Sequence, residues 1–288
     1  MTRHHTSPPG GTVPETPFDV AEFTRSARGS HRATLGLGWY TEHPLGPRTL
    51  EAVGLLSRLE RGALSFLRSV LVTPTHADAR MTAFLVTWAY DKYWLADALE
   101  LIVTSHAATP PARAAAGPGA RLRRTWRSLS ERVEPIRESV ASNLIGEDVI
   151  AVHCVIGALD EWLTQAAYER LIQDARNPRL RDTLSDLLAV KRRHGAFFTE
   201  EAASRLGSNR AQSLARRRLK RMVFPLGSRV EPEVSAAGFH LDLVGAAQLD
   251  AIDRRVDGLP GLGGLQLARH SAVRAARRAA LSPPGEVT

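Results

Sequence analysis

Four long stretches of this sequence repeat apolar residues at three- and four-residue steps, and this periodicity constrains the fold more than any other feature. The stretches run over residues 50–72, 78–105, 147–174 and 180–206. Such spacing predicts an amphipathic helix in each stretch. No useful length of the chain alternates with period two, so strands are not expected. We therefore predict an all-α fold, an antiparallel four-helix bundle with additional helices.

Segments rich in proline and glycine divide the chain around these patterns. Residues 1–47 are predicted to be a disordered tail followed by an irregular arm. A helical bundle domain with a C-terminal extension is expected over 48–265, ending at "GLPGLGGL". The basic segment 266–288 is expected to be a flexible tail. Two further helices are predicted, an arginine-rich one over 121–142 and a basic one containing "RRRLKR".

Composition restricts the kind of protein. No apolar run is long enough to span a membrane, and the N-terminus lacks an apolar signal region, so a cytoplasmic location is expected. A single cysteine, Cys154, excludes an internal disulfide framework and a CxxC metal site. The formal net charge of +8 would suit an acidic partner.

Each of the four apolar stripes contains an ionisable residue near the middle of its helix. These are Glu60, Lys92 and Glu161 on the first three helices, with Lys191 and His194 on the fourth. The chain has only three lysines, so the use of two of them in apolar stripes is notable. A single such residue usually lies at the edge of a stripe with its charge in water. Their matching depth on four helices instead predicts a polar centre, where each charge needs a partner.

The motifs around these residues resemble those of the ferritin-like superfamily, in the branch around the acyl-carrier-protein desaturases. The matching stretches are "WAYDKYWLADAL", "ALDEWLTQAAYERLIQDARNPRLRDTL" and "LLAVKRRHGAFF". The resemblance covers about 48–264. It implies a bundle in which two helices contribute a glutamate each and two contribute Glu-x-x-His, together holding two iron or manganese ions.

The ligand set that the resemblance implies is incomplete. Glu60 and Glu161 stand at the single-glutamate positions, and His194 stands at one histidine position. Lysine replaces glutamate at 92 and 191, and Leu95 replaces the other histidine. A protonated lysine and a leucine cannot bind a hard metal. No metal cofactor is therefore expected, although Glu60, Glu161 and His194 remain candidates for a single residual site.

The charges of the substituted residues offer a physical reason for the change. Two glutamates and two lysines form a neutral set, whereas four buried carboxylates without metals would repel one another and take up protons. We therefore predict that Lys92 and Lys191 are built-in counter-ions of Glu60 and Glu161.

Three functional hypotheses follow. The first is a protein that no longer performs diiron oxidation and acts as an accessory, binding an acyl ligand or an acidic acyl carrier protein. The arginine clusters "RLRRTWR" and "RRRLKR" would form the docking surface, or else a solvated helix face. A homodimer is plausible from the resemblance alone. Nucleic acid is a weaker candidate because no recognition motif is visible.

The second hypothesis is a non-redox enzyme, in which Lys92 or Lys191 acts as base or amine beside Glu161 and Tyr168. The third keeps a divergent diiron oxidase or desaturase, with iron or manganese as cofactor. It requires a shifted helix register and unusual ligands, for which the candidates are Asp91, Asp160 and His153.

Overall fold

The chain is all-α. A computed structural model describes residues 17–106, 146–229 and 238–281, and these contain helices and connecting segments without a strand. The predicted fold class is therefore confirmed. The predicted helix over 121–142 and residues 1–16 of the predicted N-terminal tail lie outside the described residues. No helix among those described is long and apolar enough to cross a membrane.

Ten α-helices are found in the described parts of the chain, four of them long. Their bounds are α1 Val20–Arg25, α2 Arg32–Leu35, α3 Leu37–Glu42, α4 Pro47–Leu71, α5 Ala79–Thr104, α6 Asp148–Asp174, α7 Pro178–Arg205, α8 Asn209–Leu219, α9 Ala246–Asp257 and α10 Leu267–Leu281.

The long helices α4 to α7 pack side by side around one apolar core. Helices α4 and α5 are antiparallel, because Ser57 near the start of α4 donates to the carbonyl of Ala96 near the end of α5. Farther along α4, Phe66 packs against Trp88 in the first half of α5. These contacts fit the predicted bundle.

Helices α6 and α7 form the second antiparallel pair and approach each other closely at glycines. A Cβ atom at Gly157 would lie 2.5 Å from the ring of Phe198, so only glycine fits at this crossing. Gly195 on α7 likewise lies against the side chain of Gln165. The close approach brings the ionisable residues of the two helices within direct contact.

Local capping explains where two of the long helices begin. The side chain of Asp78 accepts a hydrogen bond from the backbone of Met81 and starts α5. The side chain of Asn177 does the same for Leu180, and Pro178 follows at the first position of α7. Both boundaries lie within three residues of those expected from the periodicity.

The arm before the bundle is more ordered than predicted. It folds into the short helices α1 to α3 and covers the groove between α5 and α7. Phe23 and Tyr40 are fully buried there, and the ring of Phe23 contacts that of His194 edge-on, with 5.7 Å between centroids. The arm is thus part of the packed domain.

The prediction of a flexible tail from residue 266 is wrong for the described part of that segment. Helix α10 packs one face against the domain, where Leu267, Ala268 and Ser271 are buried. The side chain of Asp253 accepts hydrogen bonds from the first backbone amides of α10, and the Ser271 hydroxyl accepts one from the backbone of Phe224. The apolar residues of this segment are mostly small and lie among arginines, so its helical periodicity is weak. The contacts with Asp253 and Phe224 stabilise the helix.

Candidate functional site: a buried ion-pair square

The middle of the bundle contains four ion pairs in a closed cycle, which we call the ion-pair square. Its members are the carboxylates of Glu60 and Glu161 and the ammonium groups of Lys92 and Lys191. Nζ of Lys92 lies 2.6 Å from Oε2 of Glu60 and 2.8 Å from Oε1 of Glu161. Nζ of Lys191 lies 2.7 Å from Oε1 of Glu60 and 2.9 Å from Oε2 of Glu161. Each of the four long helices contributes one corner.

Charges alternate around the ion-pair square, so every carboxylate bridges both ammonium groups with different oxygen atoms. All four side chains are at most 1% exposed. Burial of an isolated charge costs several kcal/mol, and only mutual pairing at this quality of geometry offsets that cost. The sequence-based prediction that the two lysines are counter-ions of the two glutamates is thus confirmed at the level of contacts.

The pKa shifts agree with this pairing. Burial alone would raise the pKa of Glu161, but the charges of Lys191 and Lys92 outweigh it and hold the pKa well below its ordinary value. The same balance lowers the pKa of Glu60. Burial alone would lower the pKa of Lys92, yet Glu161 and Glu60 raise it above the ordinary value. The charged forms of Glu60, Glu161 and Lys92 are therefore the stable forms.

Two aromatic rings complete the surroundings of the ammonium groups. Nζ of Lys92 lies 5.4 Å from the ring centroid of Trp88, and Nζ of Lys191 lies 5.5 Å from that of Tyr168. Both distances are within the range of cation–π attraction. The indole of Trp88 also donates a 2.9 Å hydrogen bond to Oε1 of Glu161. Burial raises the pKa of Tyr168 well above its ordinary value, and the charge of Glu60 adds to the effect.

His194 lies beside the ion-pair square and joins it to Asp91. Its Nε2 donates to Oδ2 of Asp91 at 3.1 Å, and its Nδ1 lies 3.6 Å from Oε1 of Glu161. The helix periodicity predicted neither Asp91 nor Trp88 as a partner of these groups. Asp91 is one position away from the stripe that contains Lys92, but a helix in a bundle faces two neighbours. The second inward face of α5 turns Asp91 towards α7.

The three residues proposed for a shifted helix register do not converge. Asp91 pairs with His194, and Asp160 accepts a 2.6 Å hydrogen bond from the backbone of Leu226. His153 contacts the hydroxyl of Thr75 at 2.8 Å. All three therefore have separate partners on different elements. Within the described ranges, no group of three or more histidine, cysteine or acidic side chains is arranged to hold a metal ion.

The donor set does not fit a dinuclear metal centre. Each oxygen of Glu60 and Glu161 already contacts a lysine ammonium group, so a dication there would meet a fixed positive charge at contact distance. Leu95, at an expected histidine position, is fully buried and offers no donor atom. The residual candidates Glu60, Glu161 and His194 face the same obstacle.

The arrangement also lacks what acid–base catalysis requires of a lysine. A general base or Schiff-base amine needs a lowered pKa, whereas the pKa of Lys92 is raised. Tyr168, its proposed partner, holds its proton more tightly than usual. A substrate would also need access to side chains that are fully buried. Ion pairing inside a closed core is what this geometry favours.

Comparison of the sequence with protein-family models, with curated proteins and with solved structures finds no match. The fold and the site geometry therefore carry the functional argument.

Proposed function

We propose that this chain is a ferritin-like bundle in which lysine ammonium groups replace two metal ions, and that it acts by binding a partner and not by oxidation at the bundle centre. The observation that carries this proposal is the ion-pair square. In a bundle whose four buried charges neutralise one another, the core is suited to stabilising the fold. The exposed surface is then the part of the molecule available for function.

The proposed partner is an acidic acyl carrier protein or a related acyl ligand, acting with this chain as an accessory component. Support comes from the C-terminal end of α8, where Arg217, Lys220 and Arg221 are exposed. No ion pair to these three side chains is found among the described residues. Positive charge at a helix C-terminus is also favoured by the helix dipole, which supplies a structural reason for part of this cluster. The other arginine cluster, 121–127, lies outside the described residues.

Metal content tests the core of the proposal. The protein is expressed with iron and manganese supplements, desalted, and analysed by mass spectrometry for metal per chain. We expect far less than one metal ion per chain. Two ions per chain would reject the proposal and restore the oxidase hypothesis, and one ion would point to Glu60, Glu161 and His194.

Titration of the chain with an acyl carrier protein tests the partner. The double charge reversal R217E/R221E is expected to weaken binding at least tenfold and to reduce its dependence on salt. A control with the same change of net charge is R48E/R68E, at two exposed arginines of α4. Equal effects of the two changes, or no binding by the wild type, would contradict the proposed docking surface. Light scattering of the free chain would show whether it forms the homodimer that the resemblance implies.

A further inference from the structure

The two ammonium groups occupy equivalent surroundings, and this equivalence defines a type of binding site. Each ammonium group contacts one oxygen of Glu60, one oxygen of Glu161 and the face of one aromatic ring. We propose that the bundle centre is a pair of preformed receptors for primary ammonium ions, in which the side chains of Lys92 and Lys191 are tethered occupants.

Glu161, one wall shared by these receptors, is held in place by groups other than the lysines, and Glu60 keeps the ion pair with whichever lysine remains. The indole of Trp88 fixes Glu161 by a hydrogen bond, and Asp91 orients His194, whose other nitrogen faces the same carboxylate. The side-chain amide of Gln165 donates 2.8 Å to the carbonyl of Lys191, so the α6–α7 contact does not need the lysine side chain. Loss of one lysine should therefore leave a shaped, negatively charged cavity.

The chemistry of the cavity specifies its ligand. Replacing lysine by alanine removes three carbons and a nitrogen, which together have the size of propylammonium. The ligand must carry one positive charge, because two carboxylates balance two monocations. It must also donate hydrogen bonds in at least two directions, since the former Nζ position lies within 2.9 Å of oxygens from both glutamates. A primary alkylammonium ion meets all three conditions.

The test is chemical rescue of the Lys191→Ala variant. Its Tm is measured at pH 7 with increasing propylammonium chloride, and a saturable rise is expected, since a ligand that binds only the folded state stabilises it. Tetramethylammonium chloride has the same charge without N–H donors, and 1-propanol has the same chain without charge. Neither should raise the Tm. Lys191→Met, which fills the cavity, and Lys220→Ala, which alters an exposed lysine, should not respond to propylammonium.

Several outcomes would overturn the inference. A flat titration of Lys191→Ala would do so, as would an equal response of Lys220→Ala or an equal effect of tetramethylammonium. A response to manganese chloride but not to propylammonium would show a dication site in its place. If Lys191→Ala does not fold on its own, it is denatured and diluted into buffer with and without propylammonium. Lys92→Ala is treated in the same way. The proposal is rejected if propylammonium restores the folding of neither variant. This test is independent of partner binding, because the Tm is measured on the chain alone.

Discussion

Replacing Lys191 by methionine should strongly destabilise the fold. Methionine has a similar length and volume, so the cavity term is small and the electrostatic term dominates. The change removes two of the four ion pairs and leaves Glu60 and Glu161 sharing one cation. Breaking a buried pair in this way costs about 3–5 kcal/mol. At about 2–4 °C per kcal/mol, the Tm should fall by roughly 6–20 °C.

A charge-balanced double variant separates ion pairing from loss of packing. Adding Glu60→Gln to Lys191→Met leaves one buried cation, Lys92, facing one buried anion, Glu161. The double variant should therefore be more stable than the sum of the two single changes predicts, which gives a coupling energy in a double-mutant cycle. Glu60→Gln alone should be destabilising, because it leaves an unbalanced positive charge.

Urea denaturation at pH 7 is the suitable assay, with Lys220→Met as the control at an exposed lysine. The control should change the free energy of unfolding by less than about 0.5 kcal/mol. Ion pairing would be refuted as a source of stability if Lys191→Met were as stable as the control. Strict additivity in the double variant would refute it as well, since the two side chains would then not interact.

Three other measurements follow from buried groups. Acetylation of the native protein by an amine-reactive reagent should modify Lys220 but not the buried Lys92 or Lys191. Unfolding in urea should make the two buried lysines reactive, and modification of either one in the native state would contradict the closed core. Burial raises the pKa of Asp160 from 3.8 to about 6, so its ionisation costs stability as the pH rises through this window, up to roughly 3 kcal/mol. Asp160→Asn should therefore gain stability relative to wild type between pH 4 and pH 7, and an unchanged difference would exclude the shift. Burial lowers the pKa of His240 from 6.5 to about 4, so the stability of the wild type should fall as the pH falls through that range. The stability of His240→Asn should fall less over the same range. If the urea midpoints of the two proteins change equally with pH, His240 does not contribute.

The sequence predicted those features that depend on periodicity along a single helix. The apolar stripes predict the inward positions of Glu60, Lys92, Glu161 and Lys191. Their charge balance follows because two are glutamates and two are lysines. The contribution of Asp91 could not be obtained in this way, because it depends on where α7 lies relative to α5.

The C-terminal region shows a second limit of sequence reasoning. The sequence predicts a basic, flexible tail where helix α10 is found. The apolar positions of this helix are mostly alanine, which gives little contrast between its buried and exposed faces. Its stability depends on hydrogen bonds that the side chains of Asp253 and Ser271 accept from backbone amides distant in sequence. Such contacts have no periodic signature. The ordering of the arm likewise depends on Phe23 and Tyr40 reaching a groove formed by helices farther along the chain.

The closed cycle of charges has a consequence for how this protein can change over time. A substitution that changes the charge at any one corner of the ion-pair square leaves an uncompensated buried charge, so single replacements of this kind at positions 60, 92, 161 and 191 should be eliminated by selection. Paired exchanges that keep the sum at zero, including a swap of a glutamate with its neighbouring lysine, avoid that penalty. Sequences descended from a common ancestor with this chain should therefore vary at these four positions in concert. That pattern of covariation would identify relatives whose overall similarity is too low to recognise.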